Sequence, residues 1–121
     1  MPSQNFTSML NQISSIINDQ VIPLEPLLLS QNWQDLYAGL DQIRNHVKQQ
    51  KLWAPNLPAS VGGMDLSTEQ LALIAELTGQ SPLGNYAFGN QAPDAGNAEL
   101  LHLYANDFIK SDFLLPLANG D

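Results

Sequence analysis

LWAPNLPASVGGMDLSTEQLALIAELTGQSPLG, residues 52–84, sets the fold class through the contrast between its two halves. From Leu52 to Leu66, Pro55, Pro58 and the adjacent Gly62 and Gly63 interrupt any regular pattern, so the segment reads as a connection built of turns. A helix then opens on a capping box, with Ser67 as N-cap and Gln70 three residues on, able to bond back to it. Leu71, Ala72, Leu73, Ile74, Ala75 and Leu77 make that helix apolar almost all round, which predicts burial on most sides. Gly79 is placed to end it in the left-handed conformation.

Two amphipathic helices precede this stretch. Phe6, Met9, Leu10, Ile13, Ile16, Ile17 and Val21 step by threes and fours along one face. Pro23 and Pro26 are expected to stop that helix near Val21, leaving Leu27-Leu28-Leu29 to pass over the core. In the second helix Trp33, Leu36, Tyr37, Leu40, Ile43 and Val47 form the expected buried stripe, and Lys48 belongs to the solvated side. Lys48 and Lys51 fall where positive charge favours the negative end of the helix dipole.

After Gly79 the run SPLGNYAFGNQAPDAGN, residues 81–97, has room for one short helix. Asp94 is placed to cap the next helix, carrying Leu100, Leu101, Leu103 and Tyr104, and Asn106 to cap the last. The last holds Phe108, Ile109, Phe113, Leu114 and Leu117 until Pro116 disturbs it. With no repeat, no low-complexity tract and no strand pattern, the expectation is a single all-α domain over residues 1–121, a bundle of about five or six helices. The crowded apolar side of the last helix is expected to leave a patch exposed, and such patches mark interfaces.

Composition narrows the function. Twelve Asp and Glu face four Lys and Arg, a net charge of −8, which argues against nucleic-acid binding. An absence of cysteine excludes disulfides, thiolate metal sites and a cysteine nucleophile. No apolar run approaches a membrane span, and MPSQNFTSML lacks the pattern of an export signal, so the cytoplasm is expected.

Converging catalytic groups are scarce. His46 reads as solvated, and His102 as packed among leucines rather than as a metal ligand, lacking a carboxylate four residues away. Glu76, on an apolar helix, is either exposed at an edge or buried and paired. The Gly-Asn pairs and Gly62-Gly63 lack phosphate-loop spacing and read as turns. No metal site is expected.

Three segments nevertheless carry a family resemblance. In residues 52–84 a Leu-Pro pair leads through Gly-Gly to a helix with Ala75-Glu76 and then a Gly-x-Ser-Pro-Leu turn. Residues 91–117, QAPDAGNAELLHLYANDFIKSDFLLPL, open on a Pro-Asp-x-Gly-Asn run, and INDQVIPLEPLL, ending at Leu28, holds Val-Ile-Pro-x-Glu. In this order they resemble the N-terminal helical domain of the acyl-CoA dehydrogenases. The chain departs from the family pattern at Ala59, Ser60 and Val61, at Gln80 and at Asp112.

The resemblance implies part of an FAD-dependent oxidoreductase that removes hydrogens from the α and β carbons of an acyl-CoA thioester. In the family a flavin-binding β-domain and a C-terminal helical domain follow, carrying most FAD contacts and the catalytic glutamate. No catalytic residue is therefore assigned here, and the isolated chain is expected to bind no FAD and to be inactive. Its implied role is to pack on those domains and to form a wall of the acyl-chain pocket, with Phe88, Gly89, Ala92, Pro93 and Gly96 as the wall residues. The alternative is a stand-alone helical interaction module without catalysis, self-associating through its apolar face.

Overall fold

The computed structural model describes residues 4–121. The first three residues, part of the start read above for an export signal, lie outside the described ones. Of the described residues 72% are helical, and none lies in a strand.

The first run does not stop at Val21. Helix α1 (Gln4–Ile16) passes into a π turn (Ile17–Val21), a 3-10 turn (Ile22–Leu24) and α2 (Glu25–Leu29). Pro23 and Pro26 each sit at the first positions of a new segment, where a missing N–H costs nothing. The prolines therefore reset the helix instead of ending it. Phe6, Ile13, Ile16, Ile17 and Val21 are buried, and Met9, Leu10, Leu27 and Leu28 pack against that core. Leu29 does not join them, being 84% exposed.

Helix α3 (Trp33–Gln49) is capped by Asn32, whose side chain accepts from the Asp35 amide at 3.3 Å. Leu36, Leu40, Ile43 and Val47 are buried as expected. Trp33 and Tyr37 are not: they stand 48% and 52% exposed. At about 100° of rotation per residue, Tyr37, Arg44 and Lys48 share one flank of the stripe, not its centre.

The connection after α3 is no surface loop. Leu52, Trp53, Ala54 and Leu57 are buried, and the Ala54 amide donates to the Phe88 carbonyl at 2.9 Å. A 3-10 turn (Ala59–Val61) ends at Gly62, whose φ of +93° lies in the left-handed region. Helix α4 (Thr68–Thr78) carries both halves of the capping box, Ser67 Oγ accepting from the Gln70 amide at 3.2 Å and Gln70 Oε1 from the Ser67 amide at 2.9 Å.

Two expectations for α4 are corrected. Only Ile74 and Thr78 are buried, because the helix packs on α1 along one side and on α5 (Gly84–Ala87) at its end. Ala72, Leu73, Ala75 and Glu76 face outward. Gly79 is right-handed at φ −71°, and the chain leaves through the following turn, where the Leu83 amide donates to Ser81 Oγ at 3.2 Å.

Helix α6 (Asp94–Tyr104) starts after a cis Ala92–Pro93 bond. Pro93 holds the N-cap position; Asp94 lies one residue inside, its carboxylate accepting from Gln91 Nε2 at 2.8 Å. Asn106 caps α7 (Asp107–Ile109), accepting from the Ile109 amide at 2.9 Å. A π turn (Lys110–Leu114) leads into α8 (Leu115–Asn119), which Pro116 starts rather than disturbs. Leu114 and Ala118 reach the core.

Candidate functional site

Trp53 organises one end of the molecule. Its indole is buried, and Nε1 donates to the Ala118 carbonyl at 2.8 Å. From the flank of α3, the Arg44 guanidinium lies 4.7 Å from the Trp53 ring centroid and 4.2 Å from that of Tyr86. Its two terminal nitrogens donate to the carbonyls of Tyr86 and Gly120, each at 3.0 Å. Tyr37 meets Tyr86 edge-on, with 6.5 Å between centroids. Gly89 and Gly120 both have positive φ, and a Cβ on either would strike the Trp53 ring.

Lys48 is half-buried instead of solvated, with Nζ 4.6 Å from the Trp53 centroid. Beyond it opens a cleft of about 380 Å³, lined by Lys48, Lys51, Trp53, Gly62, Leu115 and Asn119 among others. Neither lysine pairs with a carboxylate among the described residues.

A second recess of about 340 Å³ lies between α6 and the last helical run, lined by Asn97, Leu100, Leu101, Phe113 and Leu117. On the same two helical runs Leu103, Tyr104, Phe108 and Leu115 are also exposed. The exposed apolar side expected of the last helix is present, and it is shared with α6. The sequence pattern assigned Leu100 and Leu103 to a helix without saying which side of it is covered, and both stand exposed.

The residues read as an acyl-chain wall separate into two groups. Phe88 is fully buried and Gly89 packs against Trp53, so both face inward. Ala92, Pro93 and Gly96 are exposed, and nothing lies within 4 Å of a Cβ built on Gly96. Glu76 is exposed, the first of its two alternatives, and His46 and His102 are half-buried. Among the described residues no group of three or more His, Asp or Glu could hold a metal ion, and no helix is long and apolar enough to cross a membrane.

No protein-family model matches the chain. Acyl-CoA dehydrogenase family member 11 of Homo sapiens is 42% identical over 82 residues, covering 68% of this chain and 10% of that protein. Acyl-CoA dehydrogenase family member 10 of Mus musculus is 30% identical over 118 residues, or 90% of this chain and 11% of that protein. A solved structure from Mycobacterium abscessus, assigned to the acyl-CoA dehydrogenases, superposes on 100% of the chain with a TM-score of 0.88 at 29% identity. The chain spans about a tenth of the length of these curated relatives and 33% of the solved one. The chain belongs to the acyl-CoA dehydrogenase family and has the fold of its N-terminal helical domain.

Proposed function

We propose that this chain serves as the N-terminal helical domain of an FAD-dependent acyl-CoA dehydrogenase, an enzyme of α,β-dehydrogenation of acyl-CoA thioesters. The observation that carries the reading is the match of the whole chain to one third of a solved family member. The apolar recess between α6 and the last helical run supplies a face on which a flavin-binding β-domain and a C-terminal helical domain would pack. The acyl-chain wall falls to the exposed Ala92, Pro93 and Gly96, with Phe88 and Gly89 supporting it from inside. Small side chains there leave room for an alkyl chain to approach the backbone. The absence of cysteine fits a cytoplasmic setting.

The described residues do not by themselves fit FAD. The Arg44 guanidinium is engaged by two carbonyls, and the amides of Gly62 and Gly63 donate to Ala59 and Pro58. The lysine-lined cleft is too small for a dinucleotide. In this reading the flavin is held by the other domains, and the helical domain excludes water from one side of the acyl chain.

The test is complementation. The purified chain is mixed with a separately produced chain carrying the β-domain and C-terminal helical domain of a relative, loaded with FAD. Bleaching of the flavin absorbance by an acyl-CoA series is then followed. The reading expects bleaching in the mixture and in neither part alone. A mixture that forms no complex and stays yellow overturns it.

A further inference from the structure

We infer that the cleft beside Trp53 is a binding site for a phosphate monoester dianion with a short apolar stem. The charge distribution is the first argument. In a chain of net charge −8, Lys48 and Lys51 line one cleft, and no carboxylate among the described residues neutralises either. Twelve acidic residues were available to pair with them. Helix-dipole compensation accounts for lysines at the end of α3, but not for a cavity between them and the far end of the chain.

The chemistry of the walls selects the ligand. Two lysines lining one cleft match a doubly charged anion better than a single carboxylate, and lysine binds phosphate as a point charge. Lys48 Nζ lies 4.6 Å from the Trp53 ring centroid, a contact that favours this position before a ligand arrives. Gly62 leaves open space where a side chain would stand, with nothing within 4 Å of its built Cβ. Trp53, Val61 and Leu115 give the remaining wall an apolar character suited to a short alkyl stem. A volume of about 380 Å³ accommodates a phosphate group and such a stem. This inference does not depend on the dehydrogenase reading and stands or falls separately.

Trp53 is its own reporter. In the full chain carrying Trp33→Phe, Trp53 emission is followed during titration with inorganic phosphate, butyl phosphate and butyrate at constant ionic strength. Saturable change with both phosphates is expected, tighter for butyl phosphate, which separates a stem-bearing ester from free phosphate as the preferred source. Affinity should fall by about tenfold or more in Lys48→Met/Lys51→Gln, where the methionine keeps an apolar stem over the indole. Lys110→Gln should bind as the parent does. If the double variant fails to fold by circular dichroism, Lys51→Glu, at an exposed position, takes its place with the same expected loss. A flat titration, a variant that binds like the parent, or butyrate binding as tightly as butyl phosphate overturns the proposal.

Discussion

Arg44 donates from α3 to the carbonyl of Gly120 at 3.0 Å, so the middle of one helix fixes the end of the last helical run. The other arm of the same guanidinium holds the Tyr86 carbonyl, and its Cζ lies over the rings of Trp53 and Tyr86. Only a planar fork makes both bonds at once. Arg44→Lys should therefore destabilise the chain by about 1–3 kcal/mol in urea unfolding, despite keeping the charge. A variant within error of the parent would mean that the fork adds nothing.

Trp53 contributes a second tie to the same segment through the Ala118 carbonyl. Trp53→Phe keeps most of the apolar body and removes the donor, leaving a buried carbonyl unpaired. A loss of about 1–3 kcal/mol is expected from that alone. Because Arg44 and Trp53 are in contact, the double variant should depart from additivity, which a thermodynamic cycle measures directly.

The two glycines nearest the expected acyl wall should respond in opposite directions. Gly89 has φ +67°, and a Cβ there meets the Trp53 ring, so Gly89→Ala should cost more than about 1 kcal/mol. Gly96 lies within α6 facing open space. Gly96→Ala should stabilise the isolated chain by about 0.5–1 kcal/mol through helix propensity. Thermal unfolding of both variants is the check, and equal shifts would contradict the placement of these residues.

How much of this was legible in the sequence depends on distance along the chain. The Leu36–Val47 stripe, the Ser67 box and the Asn106 cap rest on residues three or four apart, and each appears where its spacing put it. Burial of Trp33, Tyr37 and the outer face of α4 depends on which other elements cover them, which periodicity does not encode. The Trp53 clamp joins residues 65 and 76 positions apart, so no local pattern announces it. Its one sequence signal was a tryptophan inside a proline-rich connection. Pro23, Pro26 and Pro116 were misread because proline ends a helix from within but begins one at its first turn, and only the backbone path distinguishes the two.

The capping box offers a local test of helix stability. Ser67→Ala removes the acceptor for the Gln70 amide while leaving the rest of α4 intact. A loss of about 0.5–2 kcal/mol is expected. Since α4 packs mainly on α1, hydrogen exchange should quicken first in the opening turn of α4. Uniform quickening across all helices would show instead that the domain opens only as a whole.

Phe113 bears on what covers the apolar face. It is 58% exposed at the mouth of the recess formed with Leu100, Leu101 and Leu117, and Phe108 on the same helical run is 66% exposed. Full burial of a phenylalanine is worth about 1.5–3 kcal/mol relative to exposure, and placing a carboxylate in an apolar contact costs more. Phe113→Asp should therefore weaken association with a flavin-domain chain, or self-association at high concentration, by about tenfold or more. Because the side chain points outward, the variant should retain the parent's helicity and unfolding midpoint. Sedimentation across a wide concentration range, with and without the partner chain, reads the difference. If parent and variant are both monomeric throughout, neither binds the partner chain and neither takes up an apolar dye, the recess is not an interface.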